Sequence, residues 1–288
     1  MIYIFSPKYT QCYFIQVMKA LSYELNELDY KCEIISDLNI KYIESNKDNN
    51  EELNKNIIII FGFHDICSNN NVLNYIKNFK TIVYNSEQLH VRSWSKYLNS
   101  LTNIDYIWDY SINNIKLLND NGINNTTHVP LGYSDGFLIK NINEIRKNDK
   151  IIFIGTGNGR RYKIFEKINN LGEPLEFHTN TWGNKYDECV KNNNLFINIH
   201  YYPNPILELF RIVPLLCNGC SVLSEYSYDK NLDIMYEKYV GFIEDDMSNL
   251  SSVKIDLLER REQICSDFKN NLKFADIIKK SGILEHLR

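Results

Sequence analysis

Nowhere in this chain do apolar residues run on for the ~18 positions that a membrane-spanning helix needs. Runs such as NIIIIFGF (56–63) have the length of strands. The opening residues, MIYIFSPKYT, carry neither a charged leader nor a cleavage-like segment and read as a first β-strand. Basic residues are not in excess. The 32 Lys and Arg stand against 36 Asp and Glu, which lacks the electrostatic footprint of a nucleic-acid binder and is too mildly acidic to demand a special partner. There is no disulfide framework either. The seven cysteines are odd in number and irregularly spaced, which suits a reducing compartment. Cys217 and Cys220 form one C-x-x-C, but no second pair or His pair completes a zinc set, so both read as small apolar residues beside a turn. No repeat of the solenoid kind is visible. A D-x-D in an apolar setting is also missing. EDD (244–246) reads as a solvated strand end. Together these features lead us to expect a soluble, cytoplasmic protein without a membrane span, a nucleic-acid partner or a cofactor.

What is present is apolar matter in a regular rhythm. Hydrophobic residues make up 44% of 288, enough for two cores of ordinary size. Asn-rich clusters such as SNNNVLN (68–74) and NDNGINN (119–125) reflect coding bias and read as solvated loops. Strand-like runs recur at IYIFS (2–6), CEIIS (32–36), NIIIIFGF (56–63), KTIVYN (80–85), DYIWDYS (105–111) and THVPLG (127–132). Helical patterns separate them, as in residues 14–28 with Ile15, Met18, Leu21, Leu25 and Leu28 on one face. The polar stretch after Leu131 has no strong period, and the rhythm then restarts at KIIFIG (150–155). Continuous apolar strands alternating with amphipathic helices predict parallel sheets covered on both faces. The expectation is therefore α/β: a first Rossmann-like domain over 1–132, a connection over 133–149 and a second over 150–288. The two doubly wound domains are expected to face a cleft. The final helix is expected to pack back on the first domain.

Two stretches of the second half carry chemistry. In IIFIGTGNGRRYKIF a strand ends, Gly155, Gly157 and Gly159 follow, and a helix opens. Backbone amides and a helix N-terminus can meet a phosphate there, and Arg160 and Arg161 add charge. The G-x-G-x-G spacing fails the strict dinucleotide fingerprint, which makes an NAD-linked enzyme the weaker reading. The second stretch, FINIHYYPNPILELFRIVPLLCNGCSVLSE (196–225), reads as strand, helix and strand. Asn204 before Pro205 suits an N-cap with Pro in the first turn, and Pro214 is expected to kink or shorten the helix. Glu208 and Arg211 then share a helix face, and His200 and Glu225 sit at strand ends on the same edge.

These motifs resemble the donor domain of GT-B glycosyltransferases, and within them a set carrying N-I-H-Y-Y, L-E-x-x-R and V-L-S-E. IIFIGTGNGRR, VPLGYS and VYNSEQL extend the resemblance over nearly the whole chain. It implies transfer of a sugar from a nucleoside-diphosphate sugar to a glycan or other hydroxyl acceptor, without a metal. It also implies nucleotide contacts by Glu208, Arg211 and Glu225, joined by Gly155 and Arg161. The acceptor falls to the first domain. An inverting enzyme needs a base there, for which Glu87 and His64 are the candidates. Tyr84, Trp94, Trp108 and Trp182 are aromatic groups for stacking on sugars or packing in cores. One departure stands out. An E-x7-E pair common among the relatives would fall near Ile206 and Pro214, and neither is acidic. A sugar-nucleotide epimerase of the same architecture and a degenerate binding protein therefore remain alternatives.

Overall fold

The computed structural model describes residues 1–36, 56–91, 95–142 and 150–288. Trp94 and residues 143–149 of the expected connection lie outside the described residues. The chain divides into two compact units. One is Met1–Pro130 together with Ala275–Arg288, and the other is Leu131–Phe274.

The first unit is built on a parallel sheet of β1 (Ile2–Phe5), β2 (Cys32–Ile35), β3 (Ile57–Ile60), β4 (Lys80–Asn85), β5 (Tyr106–Asp109) and β6 (Thr126–His128), in the order β2-β1-β3-β4-β5-β6. The four isoleucines of β3 are all buried, as both faces of a covered parallel sheet require. Around it lie α1 (Gln11–Glu27), α2 (Asn70–Ile76), α3 (Ser95–Leu101) and α4 (Ile112–Asp120). Helix α1 buries Phe14, Val17, Met18, Leu21 and Leu25. The expected stripe is thus shifted at its ends: Ile15 is only half-buried and Leu28 is the C-cap. The cluster at 68–74 is not simply a loop. Asn69 accepts bonds from the backbone N–H of Asn71 and Val72, and this cap starts α2 inside the Asn run. Tyr84 and Trp108 are fully buried, and the Tyr84 hydroxyl donates to the Val129 carbonyl at 2.5 Å. Both therefore serve the core and not a sugar, whereas Trp182 is half-buried.

The last residues hold to this sheet through a histidine. The Trp108 indole N–H donates to His286 Nδ1 at 3.0 Å, and the imidazole stacks on Tyr106 at 3.8 Å. Lys80 also donates to the Arg288 carbonyl at 3.1 Å. Burial, and then the nearby Lys80, lower the His286 pKa. Nδ1 must stay unprotonated to accept from Trp108. The released histidine takes up a proton near the ordinary value of about 6.5, whereas the docked one resists it. The contact is therefore complete above that pH and is lost as pH falls through the lowered value. We expect hydrogen-exchange protection of 275–288 to fall between neutral pH and about pH 5. His286→Phe, which stacks without titrating, should remove that pH dependence. Unchanged protection in the wild type would contradict the assignment.

The second unit has β7 (Ile151–Ile154), β8 (Leu175–His178), β9 (Leu195–Asn198), β10 (Ser221–Glu225) and β11 (Val240–Ile243), all parallel, in the order β11-β10-β9-β7-β8. Its helices are α5 (Gly159–Asn170), α6 (Asn184–Asn192), α7 (Leu209–Cys217), α8 (Lys230–Tyr236), α9 (Leu250–Glu259) and α10 (Arg261–Asn271). Helix α11 (Phe274–Lys280) follows and belongs to the first unit from Ala275 onward. In each sheet the winding reverses beside the first strand, between β1 and β3 and between β7 and β9. Doubly wound folds bind ligands at the carboxyl ends of strands at such switch points.

Candidate functional site

Strand β7 ends at the switch point of the second sheet. A Cβ added at Gly155 would lie 3.0 Å from the Phe153 ring and 3.5 Å from an Arg211 nitrogen, so close approach demands glycine there. Gly157 lies against the Tyr162 ring. Asn158 caps α5 by accepting from the Arg161 N–H at 2.8 Å.

Arg160 and Arg161 are neighbours in the first turn of α5 and so diverge by about 100° around its axis. Their fates differ. Arg160 makes a two-pronged pair with Glu225, at 2.9 Å and 2.5 Å, and also donates to the His200 carbonyl at 2.9 Å. Glu225 is buried and accepts the His200 backbone N–H at 2.9 Å as well. Its carboxylate lies inside the network, not at its rim. Arg161 is 2% exposed, yet among the described residues no carboxylate lies within 4.0 Å of it. It donates to the carbonyls of Ile199 and Thr156, at 2.9 Å and 2.6 Å, with its guanidinium 4.9 Å from the Phe153 ring. Burial, and then the charge of Arg211, push its pKa down to about 10.

His200 is fully buried two residues beyond β9. Its Nδ1 is 2.5 Å from a Glu208 carboxylate oxygen and its Nε2 is 3.1 Å from the Glu225 carbonyl. The Glu225 carbonyl and an ionised Glu208 both accept, an arrangement that favours the doubly donating imidazolium form. Burial opposes that charge, but the charge and bond of Glu208 outweigh it and the His200 pKa is raised. Burial likewise favours the neutral form of Glu208, but His200, Arg211 and Asn198 hold its carboxyl well below the usual range. Asn198 is the hub. Its amide nitrogen donates to Glu208 at 2.7 Å and to Ser224 at 3.0 Å, while its oxygen accepts from Arg211 at 2.8 Å. Glu208 and Arg211 thus meet through Asn198.

Helix α7 starts at Leu209 with Glu208 as N-cap, not at Asn204. Asn204 takes a left-handed conformation (φ 51°), and Ile206 and Leu207 are fully buried in an irregular stretch before the helix. The Tyr228 N–H bonds the Pro205 carbonyl at 2.7 Å and fixes that stretch. Tertiary burial overrides the local capping signal. Pro214 sits inside α7 without ending it before Cys217.

The network therefore brings together Gly155, Arg160, Arg161, His200, Glu208, Arg211 and Glu225 at one sheet edge. Asn198 and Ser224 were not singled out from sequence. The available signal was a polar residue near the end of each apolar strand, at positions that face each other in register. Three arginines and His200 here face the two carboxylates of Glu208 and Glu225.

The remaining candidates lie in the first unit. His64 Nδ1 is 3.1 Å from Glu87 and its Nε2 is 3.2 Å from Asp65, with all three about one-fifth exposed. Asn85 holds the Glu87 backbone, accepting from its N–H at 3.2 Å and donating to its carbonyl at 3.1 Å. Among the described residues no group of three His, Cys, Asp or Glu side chains is placed to hold a metal ion. No described helix is long and apolar enough to cross a membrane.

No family model matches the chain. The uncharacterized proteins L140 and R358 of Acanthamoeba polyphaga mimivirus are similar to it. L140 is 32% identical over 58% of this chain and 56% of its own length, and R358 is 29% identical over 60% and 64%. The match thus spans less than two thirds of either relative. Solved structures are similar over nearly the whole chain. Anabaena HepE in complex with UDP and glucose gives a TM-score of 0.58 at 10% identity, covering 99% of this chain and 98% of HepE. A glycosyltransferase from Rickettsia africae gives 0.57 at 12% identity, over 99% and 97%. Sucrose-phosphate synthase from Thermosynechococcus elongatus gives 0.57 at 10% identity, over 100% and 96%. With its two parallel α/β units, the chain has the GT-B glycosyltransferase fold.

Proposed function

We propose that the chain is a glycosyltransferase that moves a sugar from a nucleoside-diphosphate sugar to a hydroxyl acceptor. One observation carries this reading. At the switch point of the second sheet, a cluster with more cations than carboxylates contains the buried Arg161 and the half-buried Arg211. No described carboxylate lies within ion-pair distance of either. Buried charge calls for a counter-charge, and a diphosphate supplies it. The leaving diphosphate gains negative charge as the glycosidic bond breaks. Guanidinium and amide donors fixed beforehand then stabilise the transition state more than the ground state. Arg161, Arg211 and the turn from Gly155 to Asn158 fill that role without a metal. The Arg160–Glu225 pair and the His200–Glu208 pair hold the frame. The complex of HepE with UDP and glucose agrees with a donor of this class. In the first unit the acceptor hydroxyl lies near the paired His64 and Glu87, one of which takes its proton.

A thermal-shift panel of nucleoside-diphosphate sugars, led by UDP-glucose, tests the donor. Saturating ligand at a hundredfold over Kd stabilises by about 2.7 kcal/mol. At least one member should raise Tm in proportion to the logarithm of its concentration, and a silent panel would overturn the reading. A binding-only protein is the second reading. It is favoured by fully buried Ile206 and buried Pro214 where relatives place acidic groups, and it predicts shifts without turnover.

A further inference from the structure

Glu208 and Arg211 stand three apart at the start of α7, the spacing of a local ion pair. A carboxylate at an N-cap also ordinarily accepts from the first amides of its helix. Glu208 does neither. Its side chain caps no helix amide, and among the described residues no ion pair within 4.0 Å joins it to Arg211. It turns instead to the fully buried His200, at 2.5 Å. The carboxylate has given up two partners on its own helix for one at a strand end.

Asn198 stands between the two charges, and its orientation is fixed. Arg211 can only donate, so the Asn198 atom 2.8 Å from it is the amide oxygen. The ionised Glu208 accepts, so the amide nitrogen faces it at 2.7 Å. The same nitrogen donates to Ser224 Oγ at 3.0 Å, whose own proton goes to the Glu225 carbonyl at 2.9 Å. Asn198 and Ser224 are both buried, so no water competes for these bonds.

The cations are thereby divided. His200 answers Glu208, Arg160 answers Glu225, and Arg211 is left with a neutral amide oxygen. One Arg211 nitrogen lies 3.5 Å from where a Cβ on Gly155 would stand, at the turn after β7. After His200, the next cation acting on Glu208 is Arg211. Without His200, a Glu208–Arg211 pair would compete with an anionic ligand, and an unanswered Glu208 would repel one.

Resting on the reading that a diphosphate lies against Arg211, we infer that His200 and Asn198 are positioning residues for the donor. His200 holds the Glu208 carboxylate away from Arg211, and Asn198 aims the guanidinium at the glycine turn. Fully buried, His200 has no surface of its own to offer a ligand. Its effect on the donor passes through Arg211.

The test is calorimetric titration of UDP, GDP and ADP into the full chain and its variants, with a circular-dichroism melt of each. His200→Gln should weaken the nucleotide that the wild type binds by about tenfold, and adding Glu208→Gln should restore most of that affinity. A histidine that only supported the fold would not be rescued by removing a second charge. Asn198→Asp leaves the histidine in place but sets a carboxylate against Arg211. It should also weaken binding by about tenfold, and it carries the test if His200→Gln does not fold. Wild-type affinity in either folded variant, or a double variant that binds no better than His200→Gln, would overturn the inference. A wild type silent to all three nucleotides sinks the diphosphate reading itself. Binding that Arg211→Ala abolishes and His200→Gln leaves intact sinks this inference alone.

Discussion

Arg211→Ala should abolish most turnover while leaving the second unit folded. Arg211 is half-buried on α7, and its main fixed bond is one donation to the Asn198 oxygen at 2.8 Å. Its guanidinium stands 5.7 Å from the Phe153 ring and beside the Gly155 turn, where the proposed diphosphate lies. Removing one pre-placed donor from such a site lowers kcat by about 10²–10³-fold. Little folding energy is at stake, because Asn198 keeps Glu208 and Ser224 as partners. Arg211→Lys keeps the charge but not the planar fork, so it should fall between the two. Steady-state donor hydrolysis and transfer, read beside a circular-dichroism melt, give the result. Full activity in Arg211→Ala would remove the diphosphate from this position. Arg161→Ala is a poorer probe, because its side chain also ties the Ile199 and Thr156 carbonyls together.

Arg160→Ala should instead act on stability. It leaves the Glu225 carboxylate, with 3% of its side chain exposed, holding only the His200 amide. Breaking one partner out of a buried pair costs about 3–5 kcal/mol. The Arg160 side chain is 32% exposed, which places the loss at the lower end. At about 2–4 °C per kcal/mol for a unit of this size, Tm should drop by several degrees. The double variant Arg160→Met with Glu225→Gln removes both charges and should recover much of the loss. A double variant no more stable than Arg160→Ala would show that the pair is not the cause.

Arg160 and Arg161 mark where the sequence stops being readable. The strands were legible because both faces of a parallel sheet are covered, leaving runs such as IIII and IIFI with no polar alternation to confuse them. The turn after β7 was legible through its glycines. Adjacent arginines look alike in a string of letters, but a helix aims them at different partners. One is consumed by Glu225, and the other stays without a carboxylate. Glu225 reads as a ligand contact from its place at a strand end, yet only the fold shows how many donors already occupy it. Asn198 and Ser224 carry no local pattern, since their meaning comes from pairing across strands. The start of α7 misleads for the opposite reason. Asn204-Pro205 is a sound local cap, overruled by the burial of Ile206 and Leu207. Asn69 caps a real helix but hides among other asparagines.

The first unit takes its final fourteen residues, Ala275–Arg288, from beyond the whole of the second. On the ribosome, the portion synthesised earliest must therefore wait, with the seat of His286 beside Tyr106 and Trp108 uncovered, until translation has passed Phe274. Domains generally mature as units in the order of their synthesis. Here the later-made unit can reach its finished state before the earlier one closes.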